Sequence, residues 1–152
     1  MSISVKGTLK RVLHFLLALV AATALCCLAA SQFNLARLSD LGVVVPFSDR
    51  IAVTMHDLIN MGPLYGSLIG AALVTAFPVA GLLVCWFSSR RTFLYALAGG
   101  VAMAVMLVVM KQAFGITLIA ATRTAAGFAS QVVAGAVGGW LFAYLTRSKV
   151  AA

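Results

Sequence analysis

The chain has 152 residues, 63% of them hydrophobic and only 9% charged, whereas soluble domains run near ~45–50% apolar and about 25% charged. A soluble fold this small buries only part of its surface, so a mean hydropathy of +1.10 excludes an ordinary water-soluble domain and makes lipid the natural solvent. Eleven Lys and Arg stand against three Asp and no Glu, a net charge of +8. The cations fall in small groups between apolar runs, which reads as membrane topology rather than as the continuous basic stripe of a nucleic-acid partner.

Crossing a hydrocarbon core takes about 20 apolar residues in a helix, and four stretches qualify. The first is 12–31, following Lys6, Lys10 and Arg11. Those cations, the apolar run and Leu28-Ala29-Ala30-Ser31 also fit a secretory signal peptide. The apolar core is longer than the ~7–15 residues usual there, and a retained helix is expected. The stretch Thr23-Ala24-Leu25 before Cys26 lacks the small residue that precedes a lipidated cysteine. An outer loop follows at 32–62 and contains a short amphipathic helix over 49–60. Ser48 is its expected N-cap, with Asp49 in the first turn, where the helix dipole favours an anion. Ile51, Met55, Leu58 and Ile59 share one side and Arg50, Thr54 and Asp57 the other, so the segment is expected to rest on the membrane surface or cap the bundle.

The second span, 63–88, opens on Gly62-Pro63, and Pro suits a first helical turn. The third is 92–110. Residues 112–122 are apolar but too few to cross. Either they form an interfacial segment, or the fourth helix begins near Thr117 and carries Arg123 a turn or two inside. The fourth span is 124–145. No internal repeat or linker is visible, so the expected fold is all-α: one transmembrane domain, a four-helix bundle with a short interfacial helix in its first outer loop.

The flanks set the orientation. With both termini inside, the cytoplasmic segments hold Lys6, Lys10, Arg11, Arg90, Arg91, Arg147 and Lys149 and no acid. The outer segments hold Arg37, Arg50, Lys111 and Arg123 against Asp40, Asp49 and Asp57, a net of +1. Excess Lys and Arg mark the cytoplasmic side, which predicts a multi-pass protein of a bacterial inner membrane with both ends cytoplasmic.

Lipid tails leave helices no hydrophobic reason to associate, so small residues that allow close approach carry the packing signal. Gly66 and Gly70 form one GxxxG pair, and Gly135 and Gly139 another, beside Gly138 and the ladder Ser130, Ala134, Gly138. These faces serve either the bundle itself or a second protomer or larger membrane complex.

Few residues promise chemistry. His56 and Asp57 are neighbours on a helix, some 100° apart, and do not face each other; His56 is read as interfacial, and Asp57 as a partner for Arg123 or Lys111. Arg123, Lys111 and Arg50 are the candidate basic pocket on the outer side, with Asn60 and Tyr65 near in sequence, because an ionisable group at membrane depth is a functional hypothesis by default. The alternative for Arg123 is a snorkelling anchor. Cys26 and Cys27 lie too far along the first span from Cys85 in the second for a disulfide, and no Cys/His spacing suggests zinc. Met103, Met106 and Met110 read as packing rather than a copper site. His14 has no visible partner. Without Glu there is no HExxH site or glutamate proton carrier, and no P-loop, dinucleotide fingerprint or nucleophile elbow occurs. No catalytic activity and no cofactor are expected. Two roles remain: an accessory subunit or homo-oligomer assembled through its Gly/Ala-rich faces, or a carrier, channel or lipid-binding protein that takes an anionic or amphiphilic ligand at the basic cluster. Membrane lipids are partners in both.

Overall fold

The computed structural model describes residues 5–86, 90–114 and 120–147. All regular structure in them is helical: α1 (Val5–Asp40), α2 (Phe47–Asn60), α3 (Gly62–Trp86), α4 (Arg91–Phe114), a 3-10 turn (Ala120–Arg123) and α5 (Ala125–Leu145). α1, α3, α4 and α5 are each long and apolar enough to cross a membrane. They form a four-helix bundle, and the protein is a multi-pass membrane protein. The end of the predicted second span, residues 87 and 88, lies outside the described residues, as do all of residues 115–119 between α4 and the 3-10 turn, with the alternative helix start near Thr117.

α1 runs well past the predicted boundary at Ser31. Its 36 residues rise about 54 Å at ~1.5 Å each, against a hydrocarbon core of ~30 Å. Ser31, Gln32, Asn34 and Arg37 end the apolar window, but none of them breaks a helix. The helix stops where Gly42 takes a left-handed conformation at φ 83°. There the amide of Val43 donates to the Leu38 carbonyl at 3.1 Å and that of Gly42 to Ser39 at 3.0 Å, the paired bonds of a Schellman end.

α2 folds back antiparallel along this overhang. Arg50 meets Ser39, Thr54 meets Gln32 and Asp57 meets Ser31. α2 thus packs along α1 through its polar residues. Thr54 is buried, Arg50 and Asp57 are half-buried, and Ile51, Met55 and Ile59 are exposed. α1 offers hydroxyls and an amide at this level, so the polar face of α2 packs inward; Leu58 also packs against the core, while Ile51, Met55 and Ile59 look outward. Ser48 does not cap it: the N-cap is Pro46, without a side-chain bond. Met61 alone separates α2 from α3, and the Tyr65 amide donates to the Met61 carbonyl at 2.8 Å, so the two helices are nearly continuous.

The α4–α5 seam is the closest in the bundle. A Cβ on Gly139 would collide with the Tyr95 carbonyl, one on Gly135 with the Met103 side chain, and one on Gly99 with the Gly135 carbonyl. Gly138 faces α1, where a Cβ would come within 2.8 Å of that of Ala22. Gly66 and Gly70 also face α1, with more room: Thr23 Oγ1 at 3.2 Å and a Leu19 methyl at 3.3 Å. All five glycines singled out for packing thus meet neighbours within one chain. Toward the end of the bundle holding both termini, Phe77 stacks on Phe142 at 4.6 Å, with Phe15 and Tyr95 edge-on to Phe77. Arg91 ties α4 to the end of α5 through the Thr146 hydroxyl at 2.6 Å and carbonyl at 3.2 Å.

Candidate functional site

The three cations of the predicted basic cluster lie on three different elements. Arg50 donates to the Val45 carbonyl at 3.4 Å and to Ser39 at 3.2 Å, so its charge holds the α1–α2 turn. Lys111 is exposed on the last turn of α4, and Arg123 is exposed at the end of the 3-10 turn. α5 starts only at Ala125, with Thr124 as N-cap accepting from the Gly127 amide at 3.1 Å, so Arg123 does not sit inside the fourth span. His56 is exposed and engages Asn60, whose side-chain nitrogen lies 3.2 Å from Nδ1 and donates to the His56 carbonyl at 2.9 Å. Asp57 pairs with neither Arg123 nor Lys111, and no ion pair forms among the described residues. Instead its Oδ2 accepts from the hydroxyl of Ser31 at 2.6 Å, and Ser31 is fully buried.

Asp57 lines a cavity of about 280 Å³ built from every helix except α5. α1 supplies Cys27, Ala30 and Asn34 at one-turn intervals; Asn60 and Met61 follow Asp57; and Leu64, Tyr65 and Leu68 come from the first turns of α3. Met110 of α4 and Ala120 of the 3-10 turn close the far side. The polar groups sit at the level of Ser31, where the apolar window of α1 ends, and the lower wall is apolar. Just inside it lies a buried link between three helices. Gln131 of α5, fully buried, donates to the Cys26 carbonyl at 3.1 Å and accepts from the Tyr65 hydroxyl at 2.9 Å. An amide in an apolar interior must find such partners, and here they fix the cavity's Tyr65 wall.

A second hollow shares two wall residues with the first. Leu68 and Met110 belong also to a groove of about 720 Å³ between α3 and α4, floored by Ala72, Ala76 and Ala102 and reaching Leu83 and Leu94. From Leu68 to Leu83 is roughly 22 Å at ~1.5 Å per residue, more than the ~15 Å half-thickness of a hydrocarbon core. Small floor residues keep it open, and its only polar side chain, Thr75, is turned back onto the Ala72 carbonyl at 2.8 Å. Polar mouth and apolar trough together have the shape of an amphiphile. Chemically the site can accept hydrogen bonds at its mouth and bury a hydrocarbon chain below. It offers no activated nucleophile, and among the described residues no three His, Cys, Asp or Glu side chains gather as metal ligands.

Fold and site together define the class: a multi-pass, four-helix membrane protein with a polar-walled cavity next to an apolar groove. Compared with models of known protein families, with curated proteins and with solved structures, the chain shows no match in any of the three. Sequence reasoning passed over Ser31, Asn34 and Gln131. The signal for Gln131 was there: it is the one amide in a Gly- and Ala-rich span, and such groups bond across helices. Nothing local marked Ser31 or Asn34, whose roles depend on α2 folding back.

Proposed function

We propose that this protein is a non-catalytic binding protein or carrier that holds one membrane-resident amphiphile, its polar end in the Asp57 cavity and its chain along the α3–α4 groove. The observation that carries this reading is the sharing of Leu68 and Met110 between the polar cavity and the apolar groove. The accessory-subunit alternative rested on the glycine faces, and Gly135, Gly138 and Gly139 are filled by α4 and α1 of the same chain. We place the protein in a bacterial inner membrane with the cavity on the outer side and both termini in the cytoplasm. The cation excess around Arg90, Arg91 and Arg147 supports that orientation.

Native mass spectrometry of the full chain, extracted gently from its membrane, tests this. About one amphiphile per chain is expected. Ala76→Phe, which fills the groove, should lower occupancy at least several-fold, while Val133→Phe on the exposed face of α5 should not. Equal occupancy in all three proteins would overturn the reading, and a stoichiometric partner protein with no bound amphiphile would replace it with the subunit role.

A further inference from the structure

We infer that the amphiphile is a phospholipid with a primary ammonium in its headgroup, the ammonium resting on Asp57 and the phosphodiester on Arg123; this rests on the amphiphile reading above. The sign of the cavity argues first. The sequence suggests a basic site, but the one charged side chain lining the cavity is the Asp57 carboxylate. Ser31 donates to one of its oxygens, and no Lys or Arg lies in ion-pair contact among the described residues. A half-buried carboxylate repels an anionic headgroup, and a neutral one would leave its charge uncompensated at a cost. A cation answers both.

The neighbours select which cation. The side-chain nitrogen of Asn60 is engaged by His56, which leaves its carbonyl oxygen as an acceptor, and Asn34 adds a second amide on the α1 wall. A carboxylate with amide carbonyls suits the three N–H donors of a primary ammonium. A trimethylammonium has no N–H and is held instead by the faces of several aromatic rings. Among the described residues Tyr65 is the one aromatic side chain lining the cavity, and its hydroxyl is committed to Gln131.

The phosphate follows from the 3-10 turn. Positions three apart eclipse in such a turn, so Arg123 stands on the same side as Ala120, which lines the cavity. Its guanidinium is exposed and matches a phosphodiester with a bidentate fork. Lys111 follows cavity-lining Met110 on α4, about 100° around the helix, and is exposed. Asp57 within and Arg123 on the Ala120 side give the charge order of an ammonium linked to a phosphate.

The test is competition. Delipidated full-length protein in detergent is offered an equimolar mixture of ethanolamine, choline and glycerol phospholipids with identical acyl chains, and bound species are counted by native mass spectrometry. The expected result is a preference for ethanolamine of about tenfold, the equivalent of one charge-assisted hydrogen bond. Asp57→Asn should bring the three lipids to parity while binding persists, and Arg123→Gln should weaken all three alike. Binding without headgroup preference in the wild-type protein, or a preference for the glycerol lipid, would overturn this inference and leave the amphiphile reading standing. No binding of any lipid would overturn both. The wild-type competition decides the matter even if Asp57→Asn does not fold.

Discussion

Gly139→Ala and Gly135→Ala should each lower the thermal stability of the detergent-solubilised protein by about 1–3 kcal/mol, the usual cost of overpacking a close interface. Alanine ordinarily favours a helix over glycine by about 1 kcal/mol, so the sign depends on what the new methyl group meets. At Gly139 it meets the Tyr95 carbonyl and the backbone of Ala96, which cannot rotate away, and α4 and α5 must separate. At Gly135 it meets Met103, fully buried, together with the Gly99 carbonyl. Gly66→Ala and Gly70→Ala are the controls, because their neighbours are the side chains of Thr23 and Leu19 at 3.2 and 3.3 Å; these two should be close to neutral. Melting followed by tryptophan fluorescence separates the pairs. Were all four to melt alike, the α4–α5 seam would not be as close as described.

Tyr65→Phe should cost about 1–2 kcal/mol, near the upper end for a hydrogen bond within a membrane protein. Its hydroxyl donates to Gln131 Oε1 at 2.9 Å, and Gln131 has no exposure through which water could substitute. Gln131→Leu should cost a similar amount, since it strands the Tyr65 hydroxyl and removes the 3.1 Å bond to the Cys26 carbonyl. The double variant is the informative one: with both polar ends gone, little is left unsatisfied, and its stability should recover above the sum of the two losses. Chemical denaturation of the four proteins gives the coupling energy. Strict additivity would mean that the two residues do not share a bond.

The spans were legible because their signal is the length of an apolar run, which depends on no tertiary contact. The α4–α5 seam was half legible. The glycines of α5 stand out, but their being filled by Tyr95 and Met103 of the same chain rather than by a second protomer is a property of the packed bundle. The reach of α1 to Asp40 was hidden because polar residues close a hydropathy window without breaking a helix; Gly42 was the better marker. The two faces of α2 were also readable, but their direction was not, since it hinges on α1 presenting Ser31, Gln32 and Ser39 to Arg50, Thr54 and Asp57. Grouping Arg50, Lys111 and Arg123 by their side of the membrane could not show that Arg50 is drawn off to Ser39 and the Val45 carbonyl at the α1–α2 turn. The cavity draws on four helices and the 3-10 turn, so no stretch of sequence could announce it.

The central claim is that one amphiphile sits with its head at Asp57 and its chain between α3 and α4. The most direct measurement is photocrosslinking with two ethanolamine phospholipids, one carrying a diazirine near the headgroup and the other midway along an acyl chain, with adducts mapped by peptide mass spectrometry. The headgroup label is predicted to mark the α2–α3 junction around Asn60, Met61 and Leu64, and the chain label Ala72, Ala76 and Ala102. Labelling spread evenly over the exposed faces of α1, α3, α4 and α5 would contradict the account, because that is the pattern of bulk lipid around a bundle with no site.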